Sequence, residues 1–121
     1  MKIYFGHSKK FDYKNELYDP IRKSILNEEH EIVFPHEMSE APSNSKNFLK
    51  TRDLMIAELS YPATGLGIEL GWADAFNVPI LGVYRTGSKV SSSAKLLTDN
   101  FIEYSDPADL VEKIKIFFNG L

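Results

Sequence analysis

The chain has no cysteine, which excludes disulfides and thiol catalysis and is compatible with a reducing cytoplasm. It has no surplus of basic residues either. Its 14 Lys and Arg stand against 17 Asp and Glu, for a formal charge of -3 and a pI near 5.6. A nucleic-acid backbone needs clustered positive charge to displace its counterions, so no polynucleotide partner is expected, although a small anion can still be held locally. No apolar run has the length of a signal peptide or a membrane span. Residues 1–6 read as a short strand that runs straight into polar His7-Ser8-Lys9-Lys10. The expectation is a cytoplasmic protein without a membrane partner. His7, His30 and His36 lack metal-ligand spacing, and neither a Walker lysine nor a nucleophile-elbow serine is present, so no metal and no cofactor is expected.

What is there is a steady alternation of apolar and helix-like segments over 121 residues, the size of one domain spanning 1–121. Lys2–Gly6 reads as the first strand, and residues 13–27 place Leu17, Ile21 and Ile25 on one helical face. A second strand at 31–34 is stopped by Pro35, and the polar loop Ala41-Pro42-Ser43-Asn44 leads to a short helix at 45–50. The segments 53–59 and 79–84 are near-continuous apolar runs, as expected for central strands of a parallel sheet buried on both faces. Between them a helix spans 65–76. After an Arg85-Thr86-Gly87-Ser88 turn come a shorter helix at 91–97, a last strand at 101–104, and a helix opened by Ser105-Asp106-Pro107. Five strands joined through helices by right-handed crossovers predict a three-layer, doubly wound α/β fold with a parallel sheet in the flavodoxin-like order 2-1-3-4-5.

In such a sheet, ligands sit outside the carboxyl ends of the strands, beside the switch point between the first and third strands. That rule selects Tyr4, Gly6, His7 and Ser8, then His36 and Glu37, then residues 58–67, then 85–92. Gly65, Gly67 and Gly71 lie where a strand turns into a helix, so backbone N–H groups there could face an anion. Their G-x-G-x-x-x-G spacing is not the dinucleotide fingerprint, and the competing reading is that they only permit tight helix-to-sheet packing. Glu69 is a carboxylate among Leu66, Ile68, Leu70, Trp72 and Ala73, either an ordinary helix-start glutamate or a group whose pKa and nucleophilicity rise together in a partly dry pocket. Ser8, Lys9 and Lys10 offer a hydroxyl and two cations suited to a phosphate monoester, or are simply a solvated loop. His36 could stack on or hydrogen-bond a base, or be incidental.

Taken in order, Asp53-Leu54-Met55-Ile56-Ala57-Glu58, Pro62, Gly65-Leu66-Gly67-Ile68-Glu69-Leu70-Gly71-Trp72-Ala73 and Pro79-Ile80-Leu81 resemble the nucleoside 2-deoxyribosyltransferase family. Chain length and the opening Tyr4-Phe5-Gly6-His7-Ser8 are most similar to its short 2'-deoxynucleoside 5'-monophosphate N-glycosidase branch. The resemblance extends over nearly the whole chain. It implies that Glu69 is a nucleophile attacking the anomeric carbon of a 2-deoxyribose and that Tyr4 lies against the sugar and the Glu69 carboxylate. It further implies that Ser8 and one of Lys9 or Lys10 hold a 5'-phosphate with amides of the Gly65 to Gly67 turn. Ser92 looks like the serine that family members give to a neighbouring subunit's phosphate pocket, which implies a homodimer; a helix-cap role for Ser92 is the other reading.

Two departures accompany the resemblance. The position of the family's acid, which orients the nucleophile and protonates the leaving base, holds Ser45, and Glu37, Glu40 or Glu58 could substitute for it. The family's phosphate-binding serine after Pro62 is Ala63, with Thr64 beside it. The expected function is cleavage or transfer at the N-glycosidic bond of a 2-deoxynucleoside or its 5'-monophosphate through a glycosyl-glutamate intermediate, as in retaining glycosidases. The alternative is a noncatalytic nucleotide-binding protein. A weaker third reading, resting on fold analogy, is a signalling domain that hydrolyses a nicotinamide nucleotide.

Overall fold

Strand β1 (Lys2–Gly6) lies between β2 (Glu31–Val33) and β3 (Leu54–Glu58), and β4 (Ile80–Arg85) and β5 (Phe101–Tyr104) follow on the far side of β3. The protein is described from a computed structural model over residues 1–38 and 45–121. All four strand pairs are parallel and the order is 2-1-3-4-5, as expected. Tyr4 sits opposite Val33 on one side and Met55 on the other, so β1 is hydrogen-bonded on both edges.

The period-two alternation of a strand divides the core into two layers. Ile3, Phe5, Leu54, Ile56, Leu81 and Val83 join Ile21, Leu110 and Ile114 on one face. Tyr4, Met55, Ala57 and Ile80 join Leu49, Leu66, Leu70 and Ala73 on the other. The first layer is closed by α1 (Asp19–Arg22), α2 (Ile25–Glu29) and α6 (Pro107–Asn119), and the second by α4 (Ser45–Lys50) and α5 (Thr64–Ala75). The side chain of Asp106 caps α6 by accepting the Asp109 N–H at 2.8 Å, with Pro107 in the first turn where no donor is needed.

Several boundaries differ from expectation for local reasons. The helix expected at 13–27 is three pieces. Pro20 has no N–H to offer, and the turn Lys14–Tyr18 closes in π-helical register, with Asp19 N–H donating to the Lys14 carbonyl. The chain then breaks at Ser24, whose hydroxyl donates to the Ile21 carbonyl at 2.7 Å and accepts the Leu26 N–H at 3.2 Å, ending one helix and capping the next. The strand expected at 31–34 stops at Val33, because the Phe34 carbonyl already accepts Glu37 N–H and turns the chain into α3 (Pro35–Met38). The helix expected at 91–97 is only a 3-10 turn, Ala94–Leu96. Within the preceding serine run the Ser91 hydroxyl takes the Ser93 N–H, competing with helix bonds.

Helix α5 ends where Asn77 adopts φ 59, with Asn77 N–H bonded to the Asp74 carbonyl and Val78 N–H to the Ala73 carbonyl. That stop fixes the register of α5 against β1 and β3, and with it the position of Glu69. Among the described residues no helix is long and apolar enough to cross a membrane.

Candidate functional site

A cavity of about 480 Å³ opens at the carboxyl end of β1, between the loop that follows it, α3, α4 and the start of α5. That volume is in the range of small-molecule sites. Of the residues selected from the sequence, His7, Ser8, Lys9, Lys10, His36, Ala63, Gly65 and Glu69 line it. Ser45, Ile68 and Trp72 line it as well. Trp72 was not foreseen, although its position three residues after Glu69 places both on one helical face.

Glu69 reaches back from α5 toward the sheet, and its carboxylate accepts a hydrogen bond from the Tyr4 phenol. Tyr4 is fully buried, and burial followed by the Glu69 charge pushes its phenol far up, so it keeps its proton and acts only as a donor. Burial also raises Glu69 above the ordinary carboxylate range, against the Tyr4 hydrogen bond and the nearby Ser45 hydroxyl, which pull it down. The result is a carboxylate held in place and only partly hydrated, a good arrangement for a nucleophile.

Gly6 does not itself line the cavity, yet it makes the approach possible. A methyl group added there would meet Met55 Cε at 2.5 Å and Leu66 Cδ1 at 3.1 Å and come within 3.9 Å of Glu69 Oε1. The packing explanation of Gly65, Gly67 and Gly71 is not what the fold shows, since a methyl group at any of the three would meet nothing within 4 Å. Their amides also differ. Gly67 N–H is spent on the Ala63 carbonyl at 3.1 Å, so the expectation that it faces a phosphate needs correcting; the first-turn amides of Thr64, Gly65 and Leu66 carry no such helix bond. Ala63, at the N-cap, brings no side-chain cap that would compete for them.

On the opposite wall, His7 is held from both sides. Its Nδ1 lies 2.8 Å from the Ser8 carbonyl and its Nε2 2.5 Å from the Tyr18 hydroxyl, so Nδ1–H donates to the carbonyl and the phenol donates to Nε2. The Tyr18 oxygen in turn accepts the His36 backbone N–H at 3.3 Å. Burial pushes His7 down to about 4 and leaves it neutral. The rings of His7 and His36 are 5.2 Å apart, with Tyr13 packed on both. The Ser8 hydroxyl accepts Lys10 N–H at 3.0 Å and keeps its own hydrogen for the cavity. Sequence reasoning did not see Tyr18 or Tyr13, since ring packing across a loop leaves no periodic signal.

Glu58, Glu37, Thr64 and Ser92 lie elsewhere. Glu58 shares its strand phase with Leu54 and Ile56, so it faces the other layer, where it accepts hydrogen bonds from the Tyr104 phenol, Ser60 N–H at 2.5 Å and the Ser60 hydroxyl at 3.0 Å. It is a buried structural carboxylate and does not line the cavity, contrary to the expectation that it binds substrate. Glu37 is paired with Arg22 at 2.6 Å, and Glu40 lies outside the described residues. Thr64 is exposed and not part of the lining, and Ser92 is exposed and likewise outside it; nor does Ser92 cap the turn after it, where Ser93 is the N-cap residue. Among the described residues Glu69 is the one carboxylate in the cavity wall, and no group of three His, Asp or Glu side chains is placed to hold a metal ion.

No family model matches the chain. A stretch of 48 residues is 40% identical to a protein of Syntrophotalea carbinolica named for 2'-deoxynucleoside 5'-phosphate N-hydrolase activity, covering 40% of this chain and 34% of that one. The match therefore takes in about a third of the relative's length. Among solved structures, a CMP N-glycosidase of Clostridium botulinum has a TM-score of 0.74 at 19% identity, over 97% of this chain and 99% of that one. A 2-deoxyribosyltransferase of Bacillus psychrosaccharolyticus follows with a TM-score of 0.67 at 18% identity, over 91% and 90%. At such identities the structures share the fold, and the sequence likeness to the named N-hydrolase agrees with the family that the motifs resemble.

Proposed function

We propose that this protein cleaves the N-glycosidic bond of a 2-deoxynucleoside 5'-monophosphate, or transfers its deoxyribosyl group, with Glu69 as nucleophile. The observation that carries the reading is the Glu69 carboxylate in the wall of a nucleotide-sized cavity, oriented by the Tyr4 phenol, with Ser45 beside it. A carboxylate oxygen attacks the anomeric carbon, the C–N electron pair leaves with the base, and a glycosyl-glutamate results. Water or a second base then takes the sugar and returns the carboxylate. Ser8, Lys9 and Lys10 on one side, and the free amides at the start of α5 on the other, form the phosphate end. Ser92 lies outside its own chain's cavity, so its part in phosphate binding requires a second copy, and a homodimer belongs to this reading. A phosphorylated substrate that does not cross membranes unaided makes the cytoplasm the compartment we propose.

A second reading, a nucleotide-binding protein without turnover, is favoured by one observation: Ser45 stands where the resemblance asks for an acid, and no carboxylate other than Glu69 lines the cavity among the described residues. Incubation with each deoxynucleoside and deoxynucleoside 5'-monophosphate separates the two. Base release that is abolished in Glu69→Ala supports the enzyme, an acceptor base distinguishes transferase from hydrolase, and calorimetric binding without base release from any of them supports the second reading.

A further inference from the structure

The proposed reaction needs a proton for the departing base, and the cavity wall narrows the source. Ser45 has no acidic proton to give. The Tyr4 phenol is committed to Glu69 and its proton is held tightly by burial. His7 has Nδ1 on the Ser8 carbonyl and Nε2 on the Tyr18 phenol, so neither nitrogen faces substrate. Lys9 and Lys10 are the cations assigned to the phosphate. Glu58 lies beneath the other face of the sheet, and Glu37 is paired with Arg22. Among the described residues, that leaves the imidazole of His36, on α3, in the cavity wall beside His7.

We infer that His36 is the general acid that protonates the leaving base, in place of a carboxylate at position 45, where this chain has a serine. The inference rests on the N-glycosidase reading of the same cavity. As the C–N bond breaks and its electron pair passes to the base, the His36 imidazolium gives its proton to a ring nitrogen or carbonyl oxygen of the base, which leaves neutral. A Glu69 oxygen closes on the anomeric carbon. In the second step water attacks that carbon, the ester pair returns to Glu69, and neutral His36 takes the water's proton, so both groups end as they began.

The surroundings suit the task. His36 is anchored by its backbone N–H to the Tyr18 hydroxyl at 3.3 Å, and its ring packs on those of His7 and Tyr13. Lys9 from the β1 loop is the cation that faces it, His7 beside it is neutral, the Tyr18 phenol keeps its proton, and the neighbouring Glu37 is engaged by Arg22. Burial and then the Lys9 charge lower the imidazole below the ordinary histidine range, making it a stronger acid present in a smaller fraction at neutral pH.

The test compares two substrates. One is ordinary 2'-deoxyguanosine 5'-monophosphate. The other is the same nucleotide methylated on the imidazole ring of its base, whose positively charged base departs without an added proton. His36→Gln should lose about 10²-fold or more in kcat on the ordinary nucleotide, the usual range for removing a general acid, and keep a near wild-type rate on the methylated one. The alkaline limb of the wild-type pH profile should vanish in the variant. Equal losses on both substrates, or an unchanged rate and pH profile on the ordinary one, would overturn the assignment of His36 alone. Failure of the wild type to release either base would overturn the N-glycosidase reading itself and this inference with it.

Discussion

The phenol of Tyr4, on the first strand, donates to the carboxylate of Glu69, on the helix after the third strand, and joins two residues 65 positions apart. The contact crosses the switch point of the sheet, so the topology that opens the cavity also brings the oriented carboxylate into it. Because Tyr4 is fully buried, its ring has no other place to go and the donor is fixed in direction.

Tyr4→Phe removes the donor with almost no change in shape. A hydrogen bond to a charged group contributes about 1.5–3 kcal/mol, so kcat/KM should fall roughly 10- to 100-fold. The Tyr4 hydrogen bond opposes the burial that raises Glu69, so without it the carboxylate should titrate still higher. The acid limb of the kcat/KM profile should therefore move to higher pH. An unshifted limb would mean that Tyr4 does not act on the carboxylate.

His7 predicts an effect on stability instead. Its folded pKa is about 4 against 6.5 for a free imidazole, so between those values the unfolded chain binds a proton that the folded one refuses. The contribution of neutral His7 is present in full above about pH 6.5 and is lost as the pH falls toward 4, up to roughly 3 kcal/mol. In His7→Gln the unfolding free energy, followed by urea titration at several pH values, should be flatter over that window. A curve as steep as the wild type's would place the pH dependence elsewhere.

Much of this arrangement is legible in the sequence, and the exceptions are instructive. The strand order follows from two doubly buried runs and their connecting helices, and Glu69 stands out because it interrupts an apolar helix. Glu58 was readable as well. Its even spacing from Leu54 and Ile56 already assigns it to the face away from α5, and only its position at the carboxyl end of the sheet made it look like a ligand residue. The π-helical turn before Pro20 and the break at Ser24 depend on which backbone groups find partners, which apolar periodicity does not report. The tie between His7 and Tyr18 joins the end of a strand to a helical turn through side-chain tips, and no spacing rule encodes it.

Glu58 gives a prediction that separates folding from chemistry. Its carboxylate is raised by burial and held by the Tyr104 phenol and Ser60. Tyr104→Phe should destabilise the fold by about 1–3 kcal/mol, the usual cost of leaving a buried polar group short of a partner. The rate of base release should not change at temperatures where the variant is folded. A drop in kcat would show that the network on this face reaches the cavity.

Ser45 allows the inference about His36 to be approached from the other side. An aspartate there would stand beside Glu69, close enough for the two carboxyl groups to interact as the Ser45 hydroxyl does with Glu69 now. Two carboxylates that close cannot both ionise easily, so one of them should hold a proton near neutral pH and be able to give it to the base. Ser45→Asp in the His36→Gln background should therefore recover base release from an ordinary deoxynucleotide, by a factor within the roughly 10²–10⁴ range of general acid catalysis. The shared proton should also make the double variant less stable as the pH rises through the pair's titration, because ionising the second carboxylate sets two like charges side by side. Recovery of activity together with that loss of stability would mark position 45 as an acid site that this chain has left to a serine. If stability responds to pH in this way while base release does not return, the carboxylate is present but not directed at the base.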